Sequence, residues 1–454
     1  MKLPDGPQIP RWLETIQLIV RPLEFFNELG DRYGDAFTLG DRNNSPVVYF
    51  NHPQAIKEIF TADPNLFEST SPIHVETIVG KHSLAITDGE LHQRQRRLLM
   101  PPFHGKRMQA YGQLICDITQ QVMAKWTIGQ VFSVRSVMQE ITLRVILQAV
   151  FGLHQGQRYE QLRQLLDSFL DTVSSTLKAS LLFIPALRWD LGAWSPWGQF
   201  VRLRQQIDQL LYSEIHERRQ SIESSRTDIL TLLLMARDDV GQAMTDVELR
   251  DQLLTLLFAG HETTASALTL ALYWIHYLPE VKSKLESEID IIRTDADPSF
   301  IAQLPYLTAV CQETLRLHPI AFQTNPRKLK APLEIMGYQF APGTILVGLT
   351  YLTHKREDLY PQPKQFQPER FLTQQFAPYE YLPFGGGNRS CIGMAFAQFE
   401  MKLVLAEILA CWQLALVDQR PLKLVRHTVT VAPPTSLRML VTGQHQSQKV
   451  LSVL

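Results

Sequence analysis

The sequence predicts one mainly α-helical fold with a smaller β-rich part. Helical periodicity dominates from about residue 88 to residue 317. Two short runs rich in β-branched and aromatic side chains, residues 35–39 and 46–50, predict a pair of strands. Residues 331–349 mix Pro, Gly and β-branched residues, which indicates hairpins. With 454 residues, the chain holds either two or more domains or one large domain organised around a bulky group.

One helix is predicted to be much longer than the others. Thr245 and Glu248 have the spacing of a capping box, and the next proline is Pro279. Only Gly260 weakens the helix between them. At 1.5 Å per residue this helix would extend over roughly 45 Å and cross the whole molecule. His261 and Glu262 near its middle argue against a membrane span, because charged groups are costly in lipid.

Several segments outside this helix have recognisable local signals. No signal peptide is predicted at the N-terminus, and residues 180–197 predict a loop or a short helix that joins two longer helices. His318-Pro319 ends a helix, and residues 355–387 form a long irregular stretch of the kind that usually has a function. A helix is expected from about residue 391 to residue 412.

Composition excludes several classes of protein. The formal net charge is −1, with 44 basic and 45 acidic residues, so no nucleic-acid partner is expected. The four cysteines include no CxxC pair, which argues against a structural zinc site. Four cysteines in so long a chain do not form a disulfide scaffold, and we expect reduced thiols in the cytoplasm.

Cys391 is the candidate metal ligand. It follows Gly385-Gly386-Gly387 at the start of a predicted helix, where the helix dipole and the charge of Arg389 would favour a thiolate. Soft thiolate sulfur suits iron, and the glycines would let a flat ligand approach. A phosphate-binding loop is the alternative, but Ser390 stands where GxGxxG needs its third glycine.

The segment from Phe384 to Gly393 reads FxxGxRxCxG and resembles the haem-binding loop of the cytochrome P450 family. The resemblance implies that Cys391 binds the iron of haem b, with Phe384, Arg389 and Gly393 beside the cofactor. It covers nearly the whole chain and implies a single domain, residues 1–454. In that fold a β-rich lobe of about residues 1–65 plus 318–355 joins a helical lobe, and haem lies between the long central helix and the helix of the Cys loop.

Glu313 and Arg316 match the family's ExxR helix, and Arg370 lies in a segment that matches its PERF motif. The resemblance implies a structural network of these three residues on the haem side. Two further ExxR patterns, at residues 160–163 and 223–226, are interpreted as solvated helix faces because they do not precede the Cys loop.

Residues 259–264 resemble the family's oxygen-activation segment. Gly260 would leave room for a diatomic molecule, Glu262 would relay protons, and Thr263 would hold a water or the bound oxygen. The alternative is a satisfied polar patch inside a buried helix. A zinc protease is excluded, since Ala265 stands where HExxH needs its second histidine.

His92 and Arg96, four residues apart on one predicted helix, are similar to a family pair that binds the haem propionates. Arg327 is a looser match for another propionate-binding arginine. The alternative for the helix is a solvated basic face.

The resemblance implies a monooxygenase that activates O₂ with two electrons and two protons and hydroxylates an apolar substrate. A fatty acid, an alkane or a terpenoid would fit, and the chain is similar to cyanobacterial members of the family. The alternatives are a peroxide-using or isomerising haem-thiolate enzyme, or a haem or ligand carrier without turnover. Apolar pocket walls are expected at residues 69–85, residues 180–189, Ala259 and the run Ile320, Ala321, Phe322.

The chain ends too soon after Cys391 for a fused flavin domain, so we expect a separate electron donor, a ferredoxin. A basic cluster that could meet an acidic partner is formed by Arg94, Arg97, Lys106 and Arg107. A solvated surface is the alternative for this cluster. We further expect a monomer without a transmembrane anchor.

Overall fold

The computed structural model describes residues 3–41, 44–70, 73–174, 188–190, 192–221, 226–290, 297–427 and 430–445. Its helices are α1 Arg11–Val20, α2 Pro22–Tyr33, α3 Pro53–Thr61, α4 Ile73–Val79, α5 Gly89–Leu99, α6 Lys106–Met123, α7 Val134–Phe151, α8 Gln157–Ser174, α9 Pro196–Gln220, α10 Ile229–Met235, α11 Asp246–Tyr277, α12 Pro279–Asp290, α13 Pro298–Ile301, α14 Pro305–Leu317, α15 Thr350–Thr353, α16 Arg370–Thr373 and α17 Met394–Cys411. Its strands are β1 Ala36–Asp41, β2 Ser45–Phe50, β3 Phe67–Ser69, β4 Val131–Ser133, β5 Arg327–Leu329, β6 Leu333–Ile335, β7 Tyr338–Phe340, β8 Ile345–Gly348, β9 Trp412–Leu416, β10 Val425–His427, β11 Thr430–Ala432 and β12 Arg438–Gln444.

Helix α11 is the longest helix of the described residues and confirms the predicted central helix. The amide of Glu248 donates to Thr245 Oγ1 over 3.2 Å, and the Glu248 carboxylate accepts from the Thr245 amide over 2.8 Å. Its 32 residues extend over about 48 Å. Helices α7, α17, α9 and α14 pack around it, so its middle lies in the core of the helical lobe.

Gly260 allows α11 to approach α7. A Cβ at this position would lie 2.9 Å from Ile146 Cδ1 of α7, closer than carbon atoms pack. The space into which a side chain at residue 260 would extend is therefore filled by a neighbouring helix, so helix packing also requires a glycine here.

The β-rich lobe is built on a five-stranded sheet with the order β1-β2-β8-β5-β3. Strands β1 and β2 form the predicted pair, which is antiparallel, and β8 adds to β2 in parallel. Strands β6 and β7 form a predicted hairpin, whose turn places Met336 and Gly337 at positive φ. The sheet takes in β3, which lies beyond residue 65. The lobe has its own hydrophobic clusters, one of them rich in aromatic rings around Phe26.

The long stretch before the Cys loop is irregular, as the sequence predicts. Between residues 355 and 387 the only α-helix is α16, a single turn. Two buried groups give this stretch a defined course: Tyr360 donates to the Glu380 carbonyl over 2.9 Å, and the Leu382 amide donates to His354 Nε2 over 3.0 Å. Residues 180–187 of the predicted linker lie outside the described residues, and α9 starts at Pro196.

Candidate active site

The Cys loop is a closed turn in front of α17. The Cys391 amide donates to the Phe384 carbonyl over 2.9 Å, which joins the two ends of the loop. Gly385 and Gly387 have φ of 65° and 64°, a conformation that favours glycine. A Cβ on Gly386 would lie 2.9 Å from the Phe60 ring. Two of the glycines are thus needed for the turn itself, and the third for contact with the β-rich lobe.

Cys391 has solvent-accessible surface. Its sulfur is nevertheless surrounded by protein atoms, and this burial raises the pKa of the thiol. Together these facts place the sulfur on the wall of a recess inside the molecule. The Gly393 amide donates to the sulfur, and the positive charge of Arg96 lies nearby; both lower the thiol pKa against the effect of burial. Helix α17 begins at Met394, three residues after the position expected from the sequence.

Arg96 supplies the positive charge near the sulfur that the sequence assigned to Arg389. Its guanidinium donates to the Ser390 carbonyl over 2.8 Å and to Ser390 Oγ over 2.9 Å, which joins α5 to the Cys loop. Arg389 turns the other way, donates to the Thr87 carbonyl over 2.6 Å and pairs with Asp88. The Arg389 charge is therefore largely compensated by a carboxylate.

The propionate-binding candidates converge at one place. Burial, together with the positive charges of Arg389, Arg96 and Arg327, lowers the pKa of His92 to about 4. Burial and the charge of Arg389 lower the pKa of Arg327 to about 10. In the described part of the chain, Asp88 is the only carboxylate in an ion pair with these arginines.

This cationic cluster, defined as His92, Arg96, Arg327 and Arg389, has more positive charge than the protein itself balances. Arg327 donates only to uncharged oxygens, of Ile59 and Asn388, and its Nε has no partner in the described structure. An uncompensated buried charge is unfavourable unless an anion pairs with it. The donor set fits the carboxylates of haem.

The second cluster, the Glu313 network, is buried, and each of its buried side-chain polar atoms has a hydrogen-bond partner in the described structure. Arg316 donates to both Glu313 oxygens over 2.6 and 2.8 Å, and Arg370 donates to Glu313 over 3.2 Å. Arg316 also donates to the carbonyls of His354 and Pro363 over 2.8 and 2.9 Å. The network therefore joins α14 to the irregular stretch that leads to the Cys loop. Glu160 and Arg163, with the same spacing, form the exposed pair expected from the sequence.

Thr263 and Ala259 share a face of α11. Ala259 is exposed and Thr263 is half-buried, although both lie in the middle of a helix that crosses the core. Thr263 Oγ1 donates to the Ala259 carbonyl over 2.6 Å. This part of the helix thus has an open side where a hydroxyl group is available.

Glu262 is held by α7. Its carboxylate forms a buried ion pair with Arg135 and accepts from the Gln139 side chain over 2.7 Å. The next contact along this seam joins His261 Nδ1 and Thr142 Oγ1 over 2.8 Å, and burial lowers the pKa of His261 to about 4. Arg135 and Gln139 were missed in the sequence, although two polar side chains four residues apart on an apolar helix were a signal.

The expected pocket walls separate into two groups. Ala259 and Ala321 are exposed, whereas Ile320 is buried in the core of the helical lobe. Phe322 is buried among the aromatic rings of the β-rich lobe, with its centroid 5.8 Å from that of Phe26. This placement corrects its expected role as a pocket wall. Residues 180–187 of the 180–189 segment lie outside the described residues.

The basic cluster expected at the surface is partly neutralised. Arg94 pairs with Asp238 and Glu248 over 2.6 and 2.9 Å, and Arg97 pairs with Asp239 over 3.0 Å. Asp238 and Asp239 lie in the turn before α11, and Glu248 lies in the first turn of that helix, far from Arg94 in the sequence. Arg94 thus joins α5 to the central helix instead of offering its charge to a partner protein.

Comparison with known proteins decides the family. The family model for cytochrome P450 matches residues 4–441. The chain belongs to the cytochrome P450 family. Cytochrome P450 135B1 of Mycobacterium tuberculosis is 36% identical over 411 residues, which cover 90% of this chain and 85% of that protein. Cytochrome P450 138 of the same organism is 33% identical over 412 residues, with 90% and 89% covered.

Solved P450 structures have the same fold. A retinoic acid-bound cyanobacterial CYP120A1 matches with a TM-score of 0.84 and 27% identity over 98% of this chain and all of that one. The haem domain of cytochrome P450DA has the same TM-score at 22% identity, with 98% of each chain covered, and is similar in fold. The P450 family consists of haem-thiolate oxidoreductases that use O₂, a substrate and redox partners. None of the described helices is long and apolar enough to cross a membrane.

Proposed function

We propose that this chain is a haem b monooxygenase in which Cys391 binds the iron and an apolar molecule is hydroxylated. The observation that carries the proposal is Arg96. One side chain holds the Cys loop through Ser390 and also belongs to the cationic cluster. The residues for the iron and for the carboxylates of haem are therefore joined by a direct contact.

The residues fit the cofactor. Cys391 would hold the iron, and His92, Arg96 and Arg327 would bind the propionates, with Arg389 paired to Asp88 beside them. Phe384 and Gly393 would lie beside the cofactor: the Phe384 carbonyl accepts from the Cys391 amide, the Gly393 amide donates to the sulfur, and a Cβ on Gly393 would meet no atom within 4 Å. When bound, haem supplies the activation of O₂, to which a thiolate ligand contributes electron density.

Thr263 and Glu262 are proposed to form a proton relay. Thr263 Oγ1 can keep donating to the Ala259 carbonyl while its lone pairs accept a hydrogen bond from a water molecule on the open face of the helix. Glu262, held by Arg135 and Gln139, would pass protons towards Thr263. A purely structural role is the alternative for Glu262, and the contacts of its carboxylate with Arg135 and Gln139 of α7 support that alternative.

Substitution of Thr263 tests the proposal. We expect Thr263→Ala to consume electrons and O₂ with a product yield several-fold lower, measured as product formed per reductant oxidised. Thr269→Ala is the matched control, because Thr269 Oγ1 donates to the Ala265 carbonyl over 2.7 Å in the same helix but is buried. Equal coupling in both variants would contradict the role of Thr263. Turnover with peroxide alone, and none with reductant, would instead establish the peroxide-using alternative.

The substrate is proposed to be apolar and elongated, with a terpenoid ahead of a fatty acid or an alkane. The support is the structural neighbour that binds retinoic acid, an isoprenoid carboxylic acid. A spectral screen of these three classes and of short polar compounds, followed by mass spectrometry of the products, tests this choice. Binding of short polar compounds with no response to the apolar ones would overturn it.

Electrons are proposed to come from a separate ferredoxin to a monomeric enzyme in the cytoplasm. Arg107 is exposed and adds positive charge near α5, although Arg94 and Arg97 are paired. A reduction rate that falls with ionic strength would support docking of an acidic partner. A rate independent of salt would argue against it.

A further inference from the structure

Helix α1 presents its apolar side to solvent. Four large hydrophobic side chains are exposed: Trp12 by 64%, Ile16 by 46%, Ile19 by 47% and Val20 by 73%. Their spacing of four, three and one residues puts them on one face of the helix. The buried side of α1 contains a carboxylate, Glu14. This arrangement is the reverse of an ordinary surface helix.

Contacts with the β-rich lobe keep α1 in this orientation. The Gly40 amide of β1 donates to Glu14 Oε2 over 3.0 Å. Leu18, one turn further along, packs against the aromatic cluster of that lobe. Rotating the helix to bury Ile16 and Ile19 would break the bond to Gly40 and leave its amide without this partner, which is unfavourable. The contacts of α1 with the β-rich lobe therefore fix the exposed apolar face, which we define as Trp12, Ile16, Ile19 and Val20.

The chemistry of this face matches a lipid surface. Tryptophan favours the boundary between headgroups and acyl chains, and aliphatic side chains insert beside it. Arginines lie at both ends of the helix: Arg11 and Arg21 are both exposed, and Arg21 pairs with Glu28. Cations beside an apolar face attract anionic headgroups.

A protein partner fits this face less well. A standard interface buries roughly 800 Å² on each side, far more than four partly exposed side chains of a short helix provide. A membrane span is also excluded for α1, because ten residues extend over about 15 Å, half of a hydrocarbon core.

We propose that α1 lies flat on an anionic lipid surface with Trp12, Ile16, Ile19 and Val20 inserted at the headgroup boundary. The contact is peripheral and leaves the haem side of the fold unchanged. If the enzyme acts on an apolar molecule, as proposed above, this surface brings it to the phase where such a molecule concentrates. The lipid contact itself does not depend on that proposal.

Flotation of the full-length holoprotein with vesicles tests the inference. The probes are phosphatidylcholine vesicles with and without phosphatidylglycerol. We expect wild type to bind and to prefer the anionic vesicles, and I16E/I19E to bind at least tenfold more weakly. The matched control is I128E/V240E, since Ile128 and Val240 are also exposed, by 67% and 77%, but lie outside α1. This control should bind like wild type.

Four outcomes would overturn the inference. Wild type could fail to bind either vesicle, or I128E/V240E could lose binding as much as I16E/I19E does. Binding that survives in I16E/I19E would place the contact elsewhere, for example at the exposed Trp189 and Trp194. A wild-type dimer that I16E/I19E converts to a monomer would identify the face as a contact between copies. Circular dichroism and the haem spectrum show that the variants are folded.

Discussion

Two buried charge clusters lie near the Cys loop, and they differ in how their charge is balanced. In the Glu313 network, one carboxylate meets Arg316 and Arg370, and backbone carbonyls accept the remaining guanidinium protons. In the cationic cluster, three arginines surround a neutral His92, and the described residues supply one ion pair, between Arg389 and Asp88. Within the described structure the charged groups of the first cluster all have partners, whereas the second has one carboxylate for three arginines and leaves Arg327 Nε without a partner.

This difference separates two kinds of residue that a motif search groups together. The Glu313 network stabilises the fold that presents Cys391, so its loss should reduce the stability of the protein. The cationic cluster stabilises the fold little by itself, because its arginines repel one another and His92 remains neutral at pH 7. Its loss should reduce the affinity for an anionic cofactor.

Glu313→Gln is expected to have the largest effect. The substitution leaves Arg316 and Arg370 buried without their carboxylate, which destabilises a protein by about 3–5 kcal/mol. We predict little folded protein, measured by urea unfolding and by haem content. Glu160→Gln is the control, because the Glu160–Arg163 pair has the same spacing but is exposed, and it should change stability by less than about 1 kcal/mol. Similar losses in both variants would contradict the distinction.

His354 should make the region of the Glu313 network sensitive to acid. Burial, together with the charge of Arg316, lowers the pKa of His354 to about 3, and its Nε2 accepts from the Leu382 amide. The unfolded chain takes up a proton near pH 6.5 and the folded chain does not, so stability is complete above pH 6.5 and falls as the pH drops. At pH 4 the loss from this residue is about 3 kcal/mol.

Urea unfolding between pH 7 and pH 4 measures this dependence. His354→Gln should be less stable at pH 7 and should show a shallower fall with acid than wild type. His104→Gln, at an exposed position, should leave the curve unchanged. A wild-type slope in His354→Gln would show that other buried histidines dominate the acid response.

Arg327→Met should affect the cofactor more than the fold. Arg327 donates to two uncharged oxygens and stacks on Phe60 with its guanidinium carbon 4.6 Å from the ring centroid, and methionine preserves part of this packing. Loss of one charged hydrogen bond to a haem carboxylate would accelerate haem release roughly 10- to 100-fold. Transfer of haem to an excess of a scavenging globin measures the rate. Unchanged release would remove Arg327 from the set of propionate partners.

The smallest expected effect on stability comes from a substitution in the Cys loop. Gly386→Ala would push a methyl group against the Phe60 ring and destabilise the protein by about 1–3 kcal/mol. Gly393→Ala has no neighbouring atom to meet in the described structure and should change the stability of the polypeptide by less than about 0.5 kcal/mol. Equal losses measured by urea unfolding would contradict the assignment of Gly386 to contact with the β-rich lobe.

Local signals in the sequence predicted the elements well. The capping box of Thr245 and Glu248, the pair of strands before residue 50 and the hairpin around Gly337 all depend on neighbouring residues, and each is observed. Glu313, Arg316 and Arg370 were also placed correctly, because a family resemblance carried information that spacing alone did not contain.

Contacts over long sequence distances could not be predicted in this way. Arg94 meets Glu248 across 154 residues, and Arg135 meets Glu262 across 127, so no local pattern indicates these partners. The same limitation assigned to Arg389 the charge near the sulfur that Arg96 supplies, because only the structure shows which arginine turns towards Ser390. Phe322 was misplaced because an apolar residue fits a core and a pocket wall equally well.

The central claim is that Cys391 is a thiolate ligand of haem iron. The absorption spectrum of the carbon-monoxide complex of the reduced protein tests it most directly. We predict a strongly red-shifted Soret band in wild type and in Glu160→Gln, and its disappearance in Cys391→His, where a nitrogen replaces the sulfur. A wild-type complex without the red-shifted band, in protein that is folded and contains haem, would contradict the account.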